Sequence, residues 1–206
     1  MKFKNIAFIL VLSMSLIILA PPAHADWQGE MQIKMDKNPT KMAGKAYGKD
    51  GALRVDMDVE QGGKVSMISD YPHHKVYTLM HAQKMYATGD MNGMGAKMPS
   101  CSTKDIEGCL EKNGYKKTGS DSANGHPCDV YEKDDKISGV KNHQKLWRPT
   151  DLKEVPFVRT ESKSASDTLS TFDILNVKIV SALSSSLFSP PADYHVLQMP
   201  KGYGSH

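Results

Sequence analysis

Three cysteines in 206 residues are too few for a disulfide-built scaffold, and positions 101, 109 and 128 lack the close pairing of a zinc site. Charge of one sign is also missing. Twenty-six Lys and Arg stand against 23 Asp and Glu, a formal +3, so there is no electrostatic case for nucleic acid or an anionic surface. Aromatics are 7% of the chain and lie scattered among the basic residues, unlike a base-stacking surface. There is no phosphate-cradling glycine loop, no nucleophile elbow and no zinc signature. No segment after the N-terminal leader approaches the roughly 20 apolar residues that span a bilayer. The commoner enzyme and nucleic-acid classes are therefore not indicated, and the reading is non-enzymatic.

What is present starts with an export signal. Lys2 and Lys4 form a short positive region, Ile6 to Ala20 is apolar and uncharged, and Pro21-Pro22 leads to Ala23-His24-Ala25. That order marks a cleaved secretory leader over residues 1–25, with Asp26 as the first mature residue. The apolar run is short for an anchor, and no cysteine follows it to be acylated. The expected location is periplasmic or secreted, with no transmembrane segment after cleavage. Residues 26–206 suit a single domain. In an oxidising compartment one cysteine pair is expected to be joined. Of the three possible pairings, Cys101 with Cys109 is favoured, because they bracket a polar turn. Cys128 lies within an apolar alternation and is left as the free thiol.

Two-residue alternation dominates the mature chain. Leu53, Val55, Met57 and Val59 alternate with Arg54, Asp56 and Asp58, which predicts a half-buried strand with its charges in water. Met31, Ile33 and Met35 repeat the pattern, as do Val65 and Met67. Asp50-Gly51, Gly62-Gly63 and Asn124-Gly125 tolerate the positive φ of tight hairpins. An antiparallel meander follows. Further strands are predicted over 75–80, 84–88, 115–121, 141–147, 155–163 and 169–177. A helix is predicted from Thr103 to Lys112, capped by Ser102 and stopped by Asn113-Gly114, with a second short one over Val180–Leu187.

The order Gly51-Ala52-Leu53-Arg54-Val55-Asp56-Met57, Ile68-Ser69-Asp70, Val76-Tyr77-Thr78-Leu79 and Lys84-Met85-Tyr86 resembles the LolA-like superfamily of periplasmic proteins, relatives of the outer-membrane lipoprotein-sorting carrier. Gly125-His126-Pro127-Cys128-Asp129-Val130-Tyr131-Glu132, Pro156-Phe157-Val158 and the ending from Ser186 to Tyr194 are more similar to a branch that is a domain of unknown function. The resemblance implies a mainly β fold with one or two short helices. It would be a strongly curved antiparallel sheet, or incomplete β-barrel, wrapping helices around an apolar cavity. It implies a lipid or lipoprotein acyl chain as ligand. The carrier's internal arginine has no assigned counterpart, since Arg54 falls on the polar face of its strand.

The candidate ligand-binding residues are Met31, Ile33, Met35, Leu53, Val55, Met57, Val59, Val65 and Met67. Flexible, polarisable methionines suit a surface that accepts varied apolar chains. The same residues would equally fill an ordinary core, which makes a structural or envelope-protein-binding module the first alternative. The second is copper binding through Met91, Met94 and Met98 with Met85 nearby, soft thioethers that select Cu(I), with His73, His74 and His81 as further donors. Their spacing matches no strong metal signature, so no metal or other cofactor is assigned. His126 and Cys128, two apart on a strand, have the types of a nucleophile pair but lack an evident orienting group. Asp134-Asp135, between Lys133 and Lys136, reads as a solvated hairpin tip.

Overall fold

The computed structural model describes residues 25–36, 38–59, 63–90, 105–137, 140–164 and 169–197. The alternating runs all become strands. They are β1 (Asp26–Met35), β2 (Asn38–Lys49), β3 (Ala52–Val59), β4 (Gly63–Asp70), β5 (Lys75–Met80) and β6 (Met85–Asp90). After α1 (Ile106–Lys112) come β7 (Lys116–Ala123), β8 (His126–Ile137), β9 (Val140–Pro149), β10 (Arg159–Ser164) and β11 (Leu169–Val180). A 3-10 turn (Ser185–Phe188) and β12 (His195–Val196) finish the described chain.

These strands form one curved, unclosed sheet in the order β12-β6-β5-β4-β3-β2-β1-β11-β10-β9-β8-β7. It is two meanders joined where β1 pairs with β11, and every pair is antiparallel except β12 with β6. The expected hairpin turns carry the expected backbone. Asp50 and Gly51 have φ of 48° and 81°, and Asn124 and Gly125 have 54° and 87°, the left-handed pair of a tight hairpin whose twist matches its strands.

One face of the sheet carries the core. Trp27 and Met31 of β1, Ala46 of β2, Leu53 and Val55 of β3, Tyr131 of β8, Leu146 of β9 and Ile174 of β11 are buried in one cluster. Ile106 and Leu110 of α1 join it. Arg148 of β9 reaches the same helix through Glu107, Nη1 to Oε1 at 2.8 Å. The helix is shorter than the sequence predicts. Asp105 rather than Ser102 caps it, its Oδ1 accepting from the Gly108 N–H at 2.9 Å, and Ser102 lies outside the described residues. At the other end Gly114, with φ of 85°, stops it as expected.

Three further expectations are corrected. No second α-helix spans 180–187: β11 runs through Val180, which pairs with Asp26, and only a 3-10 turn follows. Asp134 and Asp135 are not a hairpin tip, because β8 continues to Ile137 and pairs them with His143 and Asn142. Of the charged face of β3, Asp58 is exposed as expected, but Arg54 and Asp56 are not in water. Arg54 and Asp56 are 7% and 9% exposed, because residues 183–197 cross that outer face.

That C-terminal segment is held at several points. The Leu183 N–H donates to Asp26 Oδ2 and the Arg54 guanidinium donates to Leu187 O. Asp193 pairs with Lys84 at 2.9 Å, and the His195 N–H donates to Lys84 O as β12 adds to the β6 edge. Ile68 and Leu79, which share the outer face with Arg54, are fully buried. Alternation alone could not reveal this, since it shows which residues share a face but not what lies over it.

On the core face Trp27 lies directly over its cross-strand partner Gly48. A Cβ at Gly48 would stand 2.1 Å from Trp27 Nε1 and 2.2 Å from Cε2. The ring is boxed in by the core and cannot retreat, so Gly48→Ala is expected to cost about 1–3 kcal/mol by overpacking. Thermal denaturation followed by circular dichroism measures this, and an unchanged Tm would refute the packing argument.

Candidate functional site

The nine candidate residues all lie on the core face, but they divide sharply. Met31, Leu53 and Val55 are buried in the core; Ile33 and Met57 are partly buried and packed against it. Val65 is half-buried. Met35, Val59 and Met67 are 39%, 40% and 39% exposed.

Register shows where packing gives out. Met31, Gly44, Met57, Val65, Met80 and Met85 follow one another straight across β1 to β6, each opposite the next. In the neighbouring row Val55, 7% exposed, stands opposite Met67, at 39%. The filled core therefore ends between β3 and β4, and an apolar strip of Met57, Val65 and Met67 continues beyond it. Met80 and Met85 extend the strip and were not among the nine ligand-binding candidates, Met85 having been noted only beside the loop methionines. The stretch Val76 to Met80 alternates, but both its sets contain apolar residues, so periodicity could not choose the core-side set.

The outer face holds a polar cluster. Asp56 Oδ1 accepts from Arg54 Nε at 2.6 Å and from the Ser66 hydroxyl at 2.6 Å. Ser66 Oγ accepts from Arg54 Nη2 at 2.9 Å and lies 2.6 Å from His81 Nε2. Since the one hydroxyl proton faces Asp56, Nε2 carries the proton and donates to Ser66. Nδ1 is then the acceptor for the Tyr194 hydroxyl at 2.7 Å, and the chain of donors and acceptors closes. Burial first, and then the Arg54 charge, hold the His81 imidazole below its ordinary pKa, which suits this neutral tautomer.

A serine, a histidine and an aspartate in contact invite comparison with a hydrolase triad, and the order of contacts rules it out. The carboxylate binds the hydroxyl instead of the imidazole, and Nε2 is a donor and not a base. Ser66 is also fully buried. The cluster is a clasp for the C-terminal segment.

The remaining candidates are structural. The His126 imidazole goes to Asp151 at 2.8 Å, and the Cys128 thiol meets backbone groups, the His126 carbonyl at 3.4 Å and Ala123. Burial raises the Cys128 pKa, so this buried free thiol is no activated nucleophile. A cleft of about 610 Å³ at the far end of β8–β10 is lined by residues of both charge signs, including Asp134, Lys141 and His143. Among the described residues no three His, Cys, Asp and Glu side chains converge on a metal position, and no helix is long and apolar enough to cross a membrane. Met91, Met94, Met98 and Cys101 lie outside the described residues.

The family described as Domain of unknown function (DUF4412) matches residues 27–176, ending before the segment that covers Arg54. None of the curated proteins matches the sequence. Among solved structures the chain is similar to MucB in its complex with MucA(peri), at 12% identity and a TM-score of 0.45, over 86% of this chain and 58% of that one. It is similar to a DUF1329 family protein from Desulfovibrio piger ATCC 29098, at 15% identity and a TM-score of 0.42, over 82% and 91%. It is also similar to an outer membrane lipoprotein-sorting protein domain from Vibrio parahaemolyticus, at 11% identity and a TM-score of 0.44, over 81% and 90%. The unknown-function branch expected from the sequence is met by the family match.

The clasp reading makes Ser66 structural. Ser66→Ala is expected to cost about 1–3 kcal/mol, by leaving buried groups of Arg54 and Asp56 short of a partner. Wild-type protein is expected to resist a fluorophosphonate probe. Covalent labelling of Ser66, read by peptide mass spectrometry, would show that a reactive serine has been misread.

Proposed function

The chain belongs to the DUF4412 family, a domain of unknown function, and from that premise we propose an exported, non-enzymatic binding module that holds a lipid or acyl chain on the open end of its core face. The carrying observation is the break in packing between Val55 and its partner Met67. Apolar side chains continue past the end of the core without a cover among the described residues, and contiguous exposed apolar surface is typical of a binding site. Met57 and Met67 beside Val65 give that surface flexible side chains that re-pack around different chains. Each methylene an acyl chain buries there contributes about 0.8 kcal/mol.

The filled half of the face favours a second reading. Met31, Leu53 and Val55 pack with Ile106 and Leu110, as in a structural module that binds an envelope protein. Met67→Arg separates the two. Its long side chain reaches water from an exposed position, so the fold is expected to survive with a Tm shift of no more than about 3 °C. Binding of a fluorescent fatty acid is expected to fall at least about ten-fold, roughly 1.4 kcal/mol. Wild-type protein that binds no such probe would end the carrier reading and leave the structural module.

The same proposal places the protein in the periplasm or outside the cell, with residues 1–25 removed and 26–206 forming one domain. It joins Cys101 to Cys109. In support, Cys109 is disulfide-bonded and Cys128 is free. Non-reducing peptide mapping of protein from an exporting host is expected to give an N-terminus at Asp26 and a linked 101–109 peptide. A chain beginning at Met1, or a linked peptide containing Cys128, would contradict it.

A further inference from the structure

The row that crosses the core face does not stop at β6. Met80 and Met85 are direct partners in the antiparallel pair of β5 and β6, and the parallel pair of β6 and β12 sets His195 opposite Met85. Directly opposed residues project from the same face of a sheet. Two thioethers and one imidazole therefore stand side by side on three adjacent strands, at the β12 edge. His195 is exposed and both methionines are half-buried.

The geometry favours convergence. Adjacent strands lie about 4.8 Å apart, and methionine has three rotatable bonds beyond its Cα, enough to bring two sulfurs and a ring nitrogen around one point. The backbone under His195 is pinned. The His195 N–H donates to Lys84 O at 2.9 Å and the Leu197 N–H to Tyr86 O at 2.7 Å, while Tyr194 stacks edge-on against His81 at 5.7 Å. The charged side chains beside the row, Lys84 and Asp193, are engaged with each other at 2.9 Å.

The donor set decides the ligand. Thioethers are poor ligands for hard cations such as Ca²⁺ and Mg²⁺, which take oxygen, and good ones for Cu(I), which imidazole also suits. We propose that Met80, Met85 and His195 form a binding site for Cu(I). The site uses none of the loop methionines 91, 94 and 98. It is also separable from acyl-chain binding, because His195 on β12 is a ligand that the apolar strip does not use.

The test is an anaerobic titration of the mature protein with Cu(I) in competition with bicinchoninate. Wild-type protein is expected to withdraw one equivalent from the coloured complex. Met80→Leu with Met85→Leu, and separately His195→Ala, are expected to weaken binding at least ten-fold. The near-isosteric leucines preserve the fold, verified by thermal melting, and His195→Ala, which leaves the apolar strip intact, is expected to leave fatty-acid binding unchanged. The triple variant Met91→Leu, Met94→Leu, Met98→Leu is expected to bind Cu(I) as wild type does. A wild-type protein that withdraws no Cu(I), or a loss that follows the triple variant instead, overturns the proposal. Neither result bears on the fatty-acid titration.

Discussion

The carboxylate of Asp173 on β11 sits at the seam on which the two meanders depend. It is 1% exposed and collects partners from three other parts of the chain. Arg159 of β10 donates at 2.7 Å, Asn124 of the β7–β8 turn donates at 3.0 Å, and Lys34 of β1 stands at 3.6 Å. Burial pushes its pKa upward, but the bonds from Arg159 and Asn124 and the charges of Arg159 and Lys34 outweigh it and hold the carboxyl below its usual range. An ionised group is tolerated in such a place only when it is paired and hydrogen-bonded. Its partners thus fix the relative placement of β1, β10, β11 and the Asn124 turn.

A second buried carboxylate acts at the other end of the same seam. Asp26 is 2% exposed and holds Lys49 of β2 at 2.9 Å together with the Leu183 N–H. It directs the chain leaving β11 away from the core and towards the outer face. There the Arg54 clasp takes over, so the position of β12 follows from two polar anchors well before it in space. The apolar strip and the Met–His row on the core face both inherit their setting from this course. The strip lies beyond the buried cluster that Ile106 and Leu110 of α1 join, and His195 joins the row because the clasp delivers it to β6.

The fold was largely legible in the chain. Alternation at Met31–Met35, Leu53–Val59 and Val65–Met67, with glycine-bearing turns between, states the strands, because the strand period is a local property of the backbone. Part of the candidate site was legible for the same reason: all nine residues do share one face. Helix ends and the tail were less so. Asp105 and Ser102 are equally good caps on paper, and only the packed helix chooses between them.

What the sequence by itself determined is which side chains share a side of each strand and where the chain turns. Tertiary structure alone decided which part of a face is covered. Met31 and Met67 have the same alternating context, yet one is fully buried and the other 39% exposed. Met31 falls within the cluster that distant segments, α1 among them, close over the sheet, and Met67 falls outside it. Arg54 and Asp56 look like solvated charges and are buried by a segment more than a hundred residues later, through a bond to Leu187 with a separation of 133 residues. Period is set by bonds between neighbours, whereas burial is set by contacts that close only when distant segments meet.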